Sequence, residues 1–143
     1  MSVYEELHGY FLDDLKIGMT AVYGKTITEA DILLYAGVSG DTNPLHLNAE
    51  FAEKTMFKER IAHGMLSAGL ISTVFGTKLP GPGAVYVNQS LNFKAPVCIG
   101  DTVVARVTVK EINGRRVKFD CACTIGETVV LDGEATLMVV RRP

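Results

Sequence analysis

From residue 84 onward the sequence changes period, and this change narrows the possible folds more than any other feature of the chain. Residues 84–97, 101–112, 115–125 and 128–140 are long, rich in β-branched side chains, and alternate apolar with polar positions. Half-buried strands read this way. Asn113-Gly114 is a two-residue hairpin signal and Gly126-Glu127 reads as another, so consecutive strands are expected to run antiparallel. Pro96 has no amide hydrogen for a ladder and predicts a break or bulge in the first of these strands.

Ahead of this meander the period is helical. Residues 19–26 are a candidate first strand, and Thr28 with Asp31 forms a capping-box start. An amphipathic helix follows, with Ile32, Leu33, Tyr35 and Ala36 apolar. Asn48 can cap a short second helix through Phe51 and Ala52. Residues 64–78 form a third helix, apolar nearly all round, which is expected to be surrounded on most sides. Pro80-Gly81-Pro82-Gly83 then stops it. Helices followed by an antiparallel meander imply an α+β domain. A buried helix beside long antiparallel strands fits a sheet wrapped around that helix, although the pattern alone does not separate this from other α+β sheets.

At 143 residues the chain is expected to be a single domain over 1–143, with residues 1–14 an extension of uncertain structure. The net charge of −2 favours neither nucleic acid nor an anionic membrane surface. No apolar run reaches the length of a membrane span, about 18 residues. Residues 1–15 carry acids where a signal peptide needs a basic and then an apolar stretch, so a cytoplasmic protein is expected. The three cysteines, an odd number, argue against a disulfide framework. Cys121 and Cys123 alternate along a strand-like stretch and are read as small buried hydrophobes.

The chemistry is concentrated in Gly40-Asp41-Thr42-Asn43-Pro44-Leu45-His46. Gly40 can take a positive φ and end the preceding helix. Pro44 fixes its own φ and pushes Asn43 toward an extended conformation. On one helix the spacing from Asp41 to His46 would point the two side chains to different faces. In a rigid turn both can enter one pocket, which is how an acid/base pair is placed.

Residues 35–46, with Ala49 to Ala52, resemble the hydratase motif of the MaoC-like (R)-specific enoyl-CoA hydratases, matching it at Asp41, Asn43, Pro44, Leu45, His46 and Ala52. Ile61-Ala62-His63-Gly64-Met65 fits the same family, as does Gln89-Ser90-Leu91-x-Phe93-Lys94-Ala95-Pro96 followed by Gly100-Asp101. The resemblance spans roughly Leu15 to Val139. It implies the hotdog fold and (R)-specific hydration of trans-2-enoyl-CoA to (R)-3-hydroxyacyl-CoA. In that reading Asp41 and His46 activate water and the Gly64 N–H polarises the thioester carbonyl. Asn43, His63 and Ser72 support the site, Ser72 by its likeness to a serine of the family.

Residues three and four beyond Ser72 share its helix face, so Phe75 is expected to close the acyl pocket after a few carbons and make the substrate short-chain. No metal or organic cofactor is implied, since coenzyme A is part of the substrate. A homodimer is expected, because family members are typically dimers and an exposed edge of long strands calls for pairing. Lys94, Arg115 and Arg116 are candidates for the nucleotide end of coenzyme A only because they are basic; solvated surface charge is the better reading of them. Two alternatives remain open: a hotdog thioesterase, and an acyl-CoA-binding module without activity. The pathway served, polyester-precursor supply among others, is not named by the sequence.

Overall fold

The computed structural model describes residues 1–143. A six-stranded antiparallel sheet has the order β1-β4-β5-β6-β2, with β3 also paired to β6. The strands are β1 (Thr20–Thr26), β2 (Val85–Gln89), β3 (Asn92–Phe93), β4 (Thr102–Asn113), β5 (Arg116–Ile125) and β6 (Thr128–Met138). The period of two in the sequence becomes two faces: Val103, Ala105, Val107 and Val109 of β4 are buried, as are Val117, Phe119, Cys121 and Cys123 of β5. On that face lies α5 (Gly64–Thr77), packed against β1, β4 and β5 around one cluster of 25 buried residues. This is the hotdog arrangement.

Local signals carry over with small displacements. Thr28 caps α2 (Glu29–Ser39), and the full capping box with Asp31 is present. Gly40 ends α2 at φ 78°, where a side chain would be strained. The Gly126-Glu127 turn stands as expected, but the first hairpin turns on Gly114 and Arg115, because Asn113 is still paired with Arg116. Cys121 and Cys123 are free and buried, and burial pushes both thiols up to about 12.

Three expectations need correction or refinement. The strand expected over 84–97 breaks at Ser90 and Leu91, well before Pro96. There the Ser90 carbonyl presses on β6 so closely that a Cβ on Gly133 would lie 1.9 Å from it. α5 is covered on most sides but not on all: Met65, Gly69, Ser72 and Gly76 form an exposed stripe down one side. Residues 1–15 are ordered, with a short helix α1 (Val3–Leu7) followed by a segment strapped across the β2 approach and the C-terminus. Its amides donate from Gly9 to Pro82 O, from Tyr10 to Pro80 O and from Leu12 to Val140 O, and it buries Phe11, Leu12 and Leu15.

Candidate active site

The Asp41–His46 stretch is built by successive local caps. Ser39 Oγ donates to Tyr35 O (2.7 Å) and accepts from the Asp41 N–H (3.1 Å), holding the start of the loop to the end of α2. The Asn43 N–H donates to Asp41 Oδ1 (3.3 Å), and Asn43 Oδ1 accepts from the Leu45 N–H (3.0 Å). Asn43 thereby caps α3 (Pro44–Leu47), a single turn with proline at its first position. This turn was not anticipated as a helix, and it is what delivers His46 inward. Asn48 caps the next short helix, α4 (Ala49–Glu53).

Hydrogen bonds to carbonyls set the tautomers of both histidines. His46 is 8% exposed, and its Nδ1 lies 2.7 Å from Ile61 O. A carbonyl can only accept, so Nδ1–H donates and the neutral ring keeps its lone pair on Nε2. His63, the N-cap residue of α5, donates from Nε2–H to Asp41 O at 2.9 Å, which leaves Nδ1 as a buried acceptor with no partner. The two imidazoles lie tilted against each other with centroids 3.9 Å apart, and the Tyr35 ring tilts against His63 at 4.6 Å. His63 therefore ties the Asp41 loop to the start of α5, in keeping with a supporting role.

These groups open on a cavity of about 570 Å³. Asp41, His46, His63, Gly64 and Ser67 form its polar end, and apolar groups such as Ile61, Val97 and Leu131 form much of the rest. Gly64 begins α5, so its N–H has no carbonyl of its own helix to bond and sits at the positive end of the helix dipole. It lies under Phe93: a Cβ there would sit 2.6 Å from the ring.

The ligand atoms of Asp41, His46 and His63 lie within 4.8 Å of one another, which invites a metal. A tetrahedral zinc ion with bonds of 2.0–2.2 Å would draw its ligands to about 3.3 Å. His63 Nε2 is engaged by Asp41 O, and the two rings lie 3.9 Å apart at an inclination of 30°.

Residues 15–131 match the MaoC like domain family. The chain belongs to the MaoC-like family. A MaoC-like protein of Rhodospirillum rubrum, described as an (R)-specific enoyl-CoA hydratase, is 56% identical over 96% of this chain and 97% of its own length. The 3-hydroxybutyryl-CoA dehydratase of Methylorubrum extorquens is 49% identical over 96% of this chain and 88% of its own. Among solved MaoC-like structures, the unliganded R-hydratase PhaJ1 from Pseudomonas aeruginosa superposes with a TM-score of 0.89 at 42% identity, covering 95% of this chain and 89% of that one.

Two positions, Ser72 expected from the resemblance and Phe75 from its helix spacing to Ser72, lie elsewhere than expected. Ser72 is exposed on the open stripe of α5 and does not line the cavity of its own chain, whereas Ser67, one turn into the helix, does. Phe75 does not line the cavity either; it is 1% exposed and packs edge-on against Phe119 (4.8 Å) and Tyr86 (5.4 Å). It continues the buried face that runs Ser67, Ile71, Phe75, in steps of four. Of the basic candidates, Lys94 lines the cavity and pairs with Asp132 at 2.8 Å, while Arg115 and Arg116 do not line it.

Sequence reasoning missed Arg60. Its Nε donates to His46 O at 2.6 Å, and its two terminal nitrogens grip the Glu29 carboxylate at 2.9 Å each. Although Arg60 directly precedes the Ile61–Met65 stretch, its partners Glu29 and His46 are distant in the sequence, so it carries no local signal of such a clamp.

Proposed function

We propose that this chain catalyses the (R)-specific hydration of short-chain trans-2-enoyl-CoA, and the reverse dehydration of (R)-3-hydroxyacyl-CoA. The observation that carries the reading is that His46 Nδ1 is held by Ile61 O, which leaves Nε2 free beside the Asp41 carboxylate at the polar end of an apolar cavity. Two acceptors can take the two hydrogens of one water and leave its oxygen lone pair free to attack. The water O–H breaks as C–O forms at the β-carbon. The proton taken by the dyad is delivered to the α-carbon on the same face, which fixes the hand of the product. Asp41 and His46 share this proton as a coupled pair. General acid–base work of this kind contributes about 10²–10⁴-fold.

As the proton moves, enolate charge grows on the thioester oxygen. The Gly64 N–H meets it, and such a donor is worth about 10²–10³-fold. Every step is ordinary proton transfer, so the reaction calls for no cofactor beyond the coenzyme A of the substrate itself. Short-chain preference is supported by a relative named for a four-carbon substrate.

The assembly proposed is a homodimer. Edge strand β2 pairs on one side only and exposes Val85, Tyr86 and Val87, and the open stripe of α5 offers Met65, Gly69, Ser72 and Gly76. A second subunit covering these would also cover Ser72. No helix is long and apolar enough to cross a membrane. A cytoplasmic location remains part of the proposal.

Crotonyl-CoA tests the reading, with absorbance following the conjugated thioester and a thiol reagent reporting free coenzyme A. Loss of conjugation without thiol, giving (R)-3-hydroxybutyryl-CoA, is expected. Thiol release would mean a thioesterase, neither signal a binding module, and an S product would remove the stereochemical assignment. Asp41→Asn and His46→Gln should each fold and lose at least about 10²-fold in rate. The double variant should be little worse than the poorer single, because both act on one water.

A further inference from the structure

Ser67 is the one hydroxyl in the cavity wall whose position the proposed reaction has not yet used. It is 3% exposed, and its Oγ is fully buried with no hydrogen-bond partner in the protein. Leaving a buried hydroxyl unpaired is unfavourable, and a helix offers a ready remedy: the side chain can bond back to the carbonyl four residues earlier. Other hydroxyls of α5 take that remedy, Thr73 Oγ1 donating to Gly69 O at 3.1 Å and Thr77 Oγ1 to Thr73 O at 2.7 Å. Ser67 does not. Its backbone is held against β5, where Ser67 O accepts from the buried Cys123 thiol at 3.5 Å.

Helix geometry says where this hydroxyl points. Side chains on a helix lean toward its N-terminus and cover residues three and four positions earlier. For Ser67 these are Gly64 and His63, so Oγ projects over the turn that presents the free Gly64 N–H. The other unpaired buried atom of the cavity, His63 Nδ1, is an acceptor in the tautomer fixed by Asp41 O and cannot stabilise negative charge. The Ser67 hydroxyl can donate.

We propose that Ser67 is a catalytic residue, its Oγ–H forming with the Gly64 N–H a two-donor site for the thioester carbonyl oxygen of the acyl-CoA. The assignment rests on the hydratase reading for its rate consequence, but the contact itself requires only that an acyl thioester binds. In the free protein the hydroxyl is an unsatisfied group; with substrate it is paired, and the pairing strengthens as the enolate forms.

The experiment compares the parent with Ser67→Ala and Ser67→Thr in three measurements on the full chain. These are kcat/KM for crotonyl-CoA, thermal midpoint, and the infrared carbonyl band of bound butyryl-CoA labelled with ¹³C at the thioester carbonyl. Ser67→Ala is expected to lower kcat/KM about 10²-fold, the size seen for loss of one oxyanion donor. It should return the carbonyl band part of the way to its frequency in water, and leave the thermal midpoint unchanged or higher. Ser67→Thr, which keeps a hydroxyl on the same carbon, should restore rate and band.

A residue that merely holds the helix would give the opposite pattern. A lower midpoint with an unmoved band, or parental rate and band together, overturns the proposal. If the parent hydrates nothing but Ser67→Ala still moves the band, the hydration reading fails and the donor assignment stands. If the parent binds no acyl thioester, both fall.

Discussion

Arg60→Ala tests whether the catalytic geometry depends on a clamp outside the motif. The side chain of Arg60 is only 18% exposed and joins two elements: Nε holds His46 O at 2.6 Å, and the fork holds Glu29 at the start of α2. A hydrogen bond to a charged group contributes about 1.5–3 kcal/mol. The Glu29 carboxylate is half exposed, so its ion pair adds at most about 1 kcal/mol. Loss of both is expected to destabilise the protein by about 2–3 kcal/mol, most of it from the His46 carbonyl. For a chain of this size, that lowers the thermal midpoint by roughly 5–10 °C.

The effect on rate follows from position. The carbonyl held by Arg60 belongs to the same residue as the imidazole, so releasing it loosens α3 where His46 projects. A displacement of an ångström at a reacting group can cost about 10²-fold, and a loss of about 10–10²-fold is expected on crotonyl-CoA. Glu29→Gln is the control: it removes the ion pair and leaves the Nε bond, so rate should stay near parental and stability should fall by less than about 1 kcal/mol. Melting curves at fixed protein concentration and initial hydration rates decide the matter. The reasoning is refuted if Arg60→Ala melts and turns over like the parent, or if Glu29→Gln is as damaging as Arg60→Ala.

Phe75→Leu should lower stability by about 1–2 kcal/mol, through loss of the Phe119 and Tyr86 contacts. Because Phe75 does not line the cavity, the chain-length profile should stay unchanged; a rise in activity on eight-carbon enoyl-CoA relative to crotonyl-CoA would put Phe75 at the pocket floor. The N-terminal strap should loosen in acid: the Phe11 N–H and the Arg142 guanidinium hold the Asp14 carboxyl below its usual range. A carboxylate depressed in the folded state contributes stability above its unfolded value, about 3.9, and loses it as pH falls through the folded one. Amide exchange of Leu12, corrected for its intrinsic pH dependence, should therefore speed up below about pH 4, and Asp14→Asn should speed it at neutral pH; equal protection in both would exclude the linkage.

Much of this architecture was legible because its causes are local. The capping box at Thr28 and Asp31, the glycine stop at Gly40 and the alternation of β4 and β5 depend on residues within a turn or a strand of one another. What could not be read depends on distant partners. The break at Ser90 and Leu91 arises from the approach of Ser90 O to Gly133 on another strand, while the proline that seemed to mark it lies outside the ladder. Ser67 and Ser72 are indistinguishable in a helix apolar nearly all round. Only the packed structure shows that one faces the cavity and the other the open stripe. The ordering of residues 1–15 likewise depends on Val140 and Arg142 at the other end of the chain.

The placement of Asp41 and His46 shows why the order of the motif matters physically. His46 is buried and Asp41 exposed, though both face the same cavity. A neutral imidazole tolerates burial once one nitrogen is paired, and the Ile61 carbonyl provides that pairing. An ionised carboxylate does not, unless it is fully bonded. Asp41 has a single amide donor on one oxygen, from Asn43, and lies where solvent reaches it. Exchanging the two residues would bury the carboxylate beside Ile61 O, an acceptor that repels it, and would leave the imidazole without a partner to select its tautomer. The loop before Pro44 is therefore the place for the carboxylate and the helical turn after it the place for the imidazole.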